Sequence, residues 1–129
     1  MAHLLIVDDE PSICWGLTRL AEQMGHTATT AASAEQGLAL ARTHRPDAVV
    51  MDIRLPGMDG LTALKAIQAE FGPVPVIVIT AFGDLTTAVE AVRSGAFDYL
   101  TKPFELKAAE RALQRALESV PSRKTVPPS

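Results

Sequence analysis

The sequence predicts an α/β fold, a parallel sheet covered by helices on both faces. Two observations carry this. Short apolar runs rich in β-branched residues suit strands buried on both sides, and amphipathic helical patterns alternate with them five times along the chain. The length of 129 residues and the 47% hydrophobic content suit one packed domain.

Leu-Leu-Ile-Val at 4–7 predicts the first strand, and Ile13, Leu17, Leu20, Ala21 and Met24 line one face of a helix that Gly25 ends. Thr27–Ala31 is a weaker strand. Ser33 and Gln36 form a capping-box pair that opens a helix to about Thr43, and Pro46 prevents its continuation. Asp-Ala-Val-Val-Met at 47–51 predicts the third strand. A third helix follows on Leu61, Leu64 and Ile67, ending near Gly72-Pro73. Val-Ile-Val-Ile at 76–79 is the fourth strand. Asp84 is placed to cap a helix whose core face is Leu85, Ala88, Val89 and Val92, with Gly95 as its stop. Phe97–Thr101 is a second weak strand, and Leu106, Ala109, Leu113, Leu117 and Val120 mark the last helix. Residues 121–129 hold three prolines and no apolar period, and read as a linker or disordered tail.

Composition narrows the function. A net charge of −3 and a pI near 5.5 give no electrostatic reason for this chain to bind nucleic acid directly or an anionic membrane. No run approaches the about 18 apolar residues that span a bilayer. One cysteine, Cys14, excludes an intramolecular disulfide, so a reduced cytoplasmic setting is expected. His3, His26 and His44 show no ligand spacing, and Cys14 and Trp15 read as packing residues. No P-loop and no G-x-G-x-x-G follows the first strand.

In doubly wound sheets, ligands bind at the carboxyl ends of the strands. Three of those ends are chemically unusual here: Asp8-Asp9-Glu10, Asp52, and Thr101-Lys102-Pro103. If the first and third strands are neighbours, Asp8, Asp9 and Asp52 converge. Like charges that close oppose each other's ionisation unless a cation joins them, and oxygen ligands suit Mg²⁺. Three carboxylates would then balance Mg²⁺ and Lys102. Such a site suits phosphoryl transfer, with one carboxylate as nucleophile. Asp52 is the best candidate because it stands alone at its strand end. Taken singly, each of these acids reads as a cap or turn former. Thr80, directly after the fourth strand, can offer a hydroxyl to a phosphoryl oxygen or simply close a turn. Tyr99 on its own reads as an ordinary strand aromatic.

The motifs Leu-Ile-Val-Asp8-Asp9-Glu10-Pro, Val-Met-Asp52-Ile-Arg-Leu-Pro-Gly-Met-Asp-Gly, Val-Ile-Thr80-Ala and Phe-Asp-Tyr99-Leu-Thr-Lys102-Pro-Phe, in this order and spacing, resemble the receiver domain of two-component response regulators across residues 3–119. The resemblance implies a flavodoxin-like doubly wound (βα)5 fold with strand order 2-1-3-4-5. It implies Asp52 as phosphoacceptor, with Lys102 pairing the phosphate and Thr80 and Tyr99 as switch residues. For Mg²⁺ it implies Asp9, Asp52 and the backbone carbonyl of Arg54 as ligands, with Asp8 acting largely through water. The Lys102–Pro103 bond would be cis. Such a domain accepts a phosphoryl group from a sensor histidine kinase and promotes its own phosphorylation and dephosphorylation rather than acting as an enzyme. The stretch from Phe82 to Tyr99 resembles the nitrogen-regulation class, whose members carry a sigma-54-activating ATPase and a DNA-binding domain. The expected organisation is therefore a receiver over 1–120 and a tail over 121–129 toward an output domain absent from this chain. A homodimer through the fourth helix, fifth strand and fifth helix is also expected.

Three alternatives remain open. A haloacid-dehalogenase-type phosphatase uses similar groups but needs a second Asp two residues after the nucleophile, where this chain has Arg54. A stand-alone signalling or phosphorelay receiver, or a constitutive interaction module, would share the fold.

Overall fold

In the computed structural model, which describes residues 1–55, 57–81 and 83–119, five strands and five helices alternate. They are β1 (His3–Val7), α1 (Pro11–Gln23), β2 (Thr27–Ala31), α2 (Ala34–Thr43), β3 (Ala48–Asp52), α3 (Gly60–Phe71), β4 (Val76–Ala81), α4 (Leu85–Arg93), β5 (Asp98–Lys102) and α5 (Leu106–Ser119). All neighbouring strands are parallel, in the order β2-β1-β3-β4-β5. This is the α/β arrangement the sequence predicts. Val120 and the tail over 121–129 lie outside the described residues.

The alternation of side chains along each strand sorts the core into two layers. Leu5, Val7, Val49, Met51, Val76 and Val78 face α2, α3 and α4, meeting Leu38, Leu64, Ile67 and Ala91. Leu4, Ile6, Val50, Ile77 and Ile79 face α1 and α5, meeting Leu17, Leu20, Ala109 and Leu113. Each fully buried Leu, Ile or Val contributes about 1.5–3 kcal/mol, so this two-sided sheet is the main source of stability.

Local signals act mostly as read. Ser33 Oγ accepts the Gln36 amide at 3.2 Å, while Gln36 Oε1 reaches the Ala32 amide rather than that of Ser33. Gly60 is required by close approach. Its amide donates to Ile53 O at 2.9 Å, and a Cβ there would stand 2.5 Å from Ile53 Cα. The start of α3 is thereby pressed against the chain leaving β3.

Two expectations about α4 are corrected. Its buried residues are Ala88 and Ala91, whereas Leu85, Val89 and Val92 are 57%, 43% and 40% exposed. The larger residues lie about a quarter-turn from the alanine stripe, and small side chains let the helix rest close on the sheet. Asp84 occupies the N-cap position but makes no side-chain cap hydrogen bond. Leu106, the first residue of α5, is also exposed.

Candidate functional site

The strand order doubles back between β1 and β3, and there the carboxyl edge of the sheet opens into a crevice. Asp8 follows β1, Asp52 ends β3, Thr80 is the penultimate residue of β4 and Lys102 ends β5. Asp52 pairs in register with Ile79, Thr80 with Thr101 and Ala81 with Lys102, which sets all four residues at one edge.

Lys102 organises the centre. Its Nζ is 2.9 Å from Asp52 Oδ2 and 3.1 Å from Asp8 Oδ2, and it also donates to Glu10 Oε1. Asp52 Oδ1 accepts the Arg54 amide at 2.8 Å, and Asp8 Oδ1 accepts the Glu10 amide at 2.8 Å. The second of these turns brings Glu10 back over the end of β1. Among the described residues, the three carboxylates whose oxygens gather within 4.8 Å are Asp8, Glu10 and Asp52. Asp9, expected in that group, is exposed and lies beside it, in a cleft it lines together with Asp8, Pro11, Cys14 and Trp15. Glu10 joins the cluster through its contact with the Lys102 ammonium.

The electrostatics follow from burial. Asp8 is 1% exposed, and that desolvation pushes its carboxyl above the usual range despite the Glu10 amide and Lys102. Burial opposes the charge of Lys102, but hydrogen bonds to Glu10, Asp52 and Asp8 outweigh it and hold the ammonium above the ordinary lysine range.

The donor set suits a hard dication. Asp8 Oδ2 is buried without a hydrogen bond of good geometry, though Lys102 lies within ion-pair distance. Three carboxylates against one ammonium leave two negative charges, and all the donors are oxygens. The carboxylates of Asp8, Glu10 and Asp52 form an acidic pocket that could hold a metal ion.

Thr80 and Tyr99 share a sheet face. Tyr99 pairs with Val78 and Thr80 with Thr101, so the two are diagonal neighbours on the side that α4 covers. Thr80 is buried, and the half-buried Tyr99 packs against the same layer as Ala91. The Lys102–Pro103 bond is cis.

Two participants escaped the sequence reading. Glu10 was visible in the acidic triplet, but its return to the site depends on the Asp8 turn. The Arg54 side chain pairs with Asp84 across thirty residues, at 3.2 Å, and no local pattern marks that contact.

Comparison with known proteins extends this picture. The response regulator receiver domain family matches residues 4–114. DNA-binding transcriptional regulator NtrC of Salmonella typhimurium is 45% identical over 112 residues, covering 87% of this chain and 24% of that protein. The chain thus spans about a quarter of the length of NtrC. Protein PilH of Pseudomonas aeruginosa is 40% identical over 122 residues, covering 93% of this chain and 98% of PilH. Among solved structures, the receiver domain of NtrX from Brucella abortus superposes with a TM-score of 0.86 at 36% identity, covering 90% of this chain and 98% of that one.

Proposed function

Since the chain belongs to the response regulator receiver domain family and is NtrC/NtrX-like, we propose that it is switched by phosphorylation of Asp52. The observation that carries this reading is Lys102 Nζ held 2.9 Å from an Asp52 carboxylate whose other oxygen is fixed by the Arg54 amide. An Asp52 oxygen attacks the phosphorus of a phosphohistidine on a sensor kinase. The P–N bond breaks, its electron pair stays on the imidazole, and an aspartyl phosphate forms. Lys102 turns from the carboxylates to the new phosphoryl oxygens, which the Thr80 hydroxyl also meets. Asp52, the acidic neighbours Asp8, Asp9 and Glu10, and the Arg54 carbonyl would hold Mg²⁺, which would supply charge neutralisation to the phosphoryl group. The domain promotes its own phosphorylation and dephosphorylation and turns over no separate substrate.

Tyr99 and Thr80 relay the change to α4, which lies over their sheet face. The exposed Leu85, Val89, Val92 and Leu106 make the α4–β5–α5 side the surface that pairs with a second copy or an output domain. The resemblance to NtrC favours a transcription-regulating output beyond residues 121–129 and a cytoplasmic setting. PilH, matched over nearly its whole length, supports a stand-alone receiver as the second reading. Among the described residues no helix is long and apolar enough to cross a membrane.

The test is intact mass after incubation with Mg²⁺ and acetyl phosphate. One phosphoryl group should add, and Asp52→Asn should abolish the addition. Modification that persists in the variant would move the acceptor elsewhere.

A further inference from the structure

Asp84 stands at the N-cap position of α4, and its two carboxylate oxygens hold one side chain of the helix and one from outside it. Oδ1 accepts the Thr87 hydroxyl at 2.7 Å. Oδ2 accepts Arg54 Nη2 at 3.2 Å and Nε at 3.3 Å. Arg54 is also the residue whose amide holds Asp52 Oδ1. One residue therefore grips the proposed phosphoacceptor with its backbone and the start of α4 with its side chain.

We infer that the Arg54–Asp84 pair is a releasable restraint that ties the N-terminus of α4 to the loop after Asp52. The helix gives such a contact leverage. Its buried side chains are only Ala88 and Ala91. Little apolar burial fixes this end, so a single ion pair changes its local opening measurably. Two devices make the contact releasable. A phosphoryl group on Asp52 places dianionic oxygens two residues from Arg54, and a guanidinium favours phosphate over a lone carboxylate. Asp84, once released, can turn both oxygens to the first turn of α4, whose Thr87 backbone already acts on its carboxylate. This route to α4 runs along the surface from β3 and is separate from Thr80 and Tyr99. Its regulated half rests on the receiver reading of Asp52; the restraint itself does not.

The experiment is amide hydrogen exchange on wild type, Arg54→Gln, Asp84→Asn and the double variant, first without phosphodonor. Each single variant should speed exchange in residues 85–93 roughly two- to fivefold, the scale of one exposed ion pair. The double variant should go no further than the faster single, and α3 and α5 should be unchanged. Unaltered α4 exchange in Arg54→Gln, or fully additive effects, would overturn the restraint. The four proteins are then treated with Mg²⁺ and acetyl phosphate, and phosphorylation is read by intact mass. In phosphorylated protein the difference between wild type and Arg54→Gln should vanish. A difference that survives phosphorylation overturns the release step. Absence of any mass gain in wild type instead defeats the Asp52 reading and leaves the first comparison standing.

Discussion

Lys102 Nζ lies 2.9 Å from Asp52 Oδ2, although fifty residues separate them. The contact exists because β3 and β5 end at one edge of the sheet with β4 between them. The same ammonium faces Asp8 and Glu10, so it is the counter-charge for three carboxylates. Lys102→Met keeps the aliphatic stem and removes that charge. Metal-free stability at neutral pH should fall by about 1–2 kcal/mol, less than for a fully buried pair because Lys102 keeps a side toward water. Added Mg²⁺ should recover much of the loss. Thermal unfolding with and without the metal measures both, and a variant as stable as wild type without metal would refute the account.

Asp8→Asn should act in the opposite direction. Burial raises the Asp8 carboxyl, so the folded chain binds that proton more tightly than the unfolded chain. The stability it contributes is complete below the ordinary carboxyl value and is lost as pH rises through the raised one. At neutral pH ionised Asp8 therefore weakens the metal-free fold. Asparagine keeps an acceptor for the Glu10 amide and removes the charge. The unfolding midpoint at pH 7 should rise by several degrees, about 1 kcal/mol in a domain this size. The stabilisation by Mg²⁺ should nearly disappear. A drop in metal-free stability would make Asp8 a structural acceptor whose charge the fold requires.

The sheet and the acidic edge were legible because they depend on local patterns. β-Branched runs, Ser33 with Gln36, and acids placed directly after strands all act over a few residues. What escaped depends on tertiary placement. Asp9 and Glu10 are equivalent in the sequence, and it is Glu10 that joins the cluster, through the turn at Asp8 and the contact with Lys102. The apolar period of α4 matches Leu85, Val89 and Val92 as well as any core stripe, yet the sheet receives Ala88 and Ala91. Arg54 finds Asp84 because the loops after β3 and β4 leave the same edge, a pairing that no spacing encodes.

His3 and His44 provide a second pH dependence, at the opposite end of the sheet. Their rings stack at 3.9 Å, and His3 is lowered by burial and then by the neighbouring His44 charge. A histidine lowered in the folded chain contributes stability that is present above its unfolded value of 6.5 and is lost as pH falls through the folded value. The midpoint should therefore drop between pH 7 and pH 5.5 by more in wild type than in His44→Gln, which removes the imidazole that opposes the His3 charge. Equal drops would show that burial alone, with no contribution from His44, sets the effect. The Asp8 dependence runs the other way and is common to both proteins, so it cancels in this comparison.

The exposed stripe on α4 gives the last prediction. Leu85, Val89 and Val92 are large apolar residues 57%, 43% and 40% open to water, and their removal should cost the isolated fold little. If this face pairs with a second copy once Asp52 is phosphorylated, Val89→Glu would place an unpaired charge inside the interface. Association of the phosphorylated protein should then weaken at least about tenfold, since burying one such charge costs more than the 1.4 kcal/mol that factor represents. Sedimentation velocity after treatment with Mg²⁺ and acetyl phosphate reads the assembly, and intact mass verifies that the variant still carries its phosphoryl group. Thermal unfolding of the unmodified variant should match wild type, which separates a surface effect from a folding defect. A phosphorylated Val89→Glu protein that associates as wild type does would place the pairing surface elsewhere. The stripe would then serve contact with an output domain rather than with a second receiver.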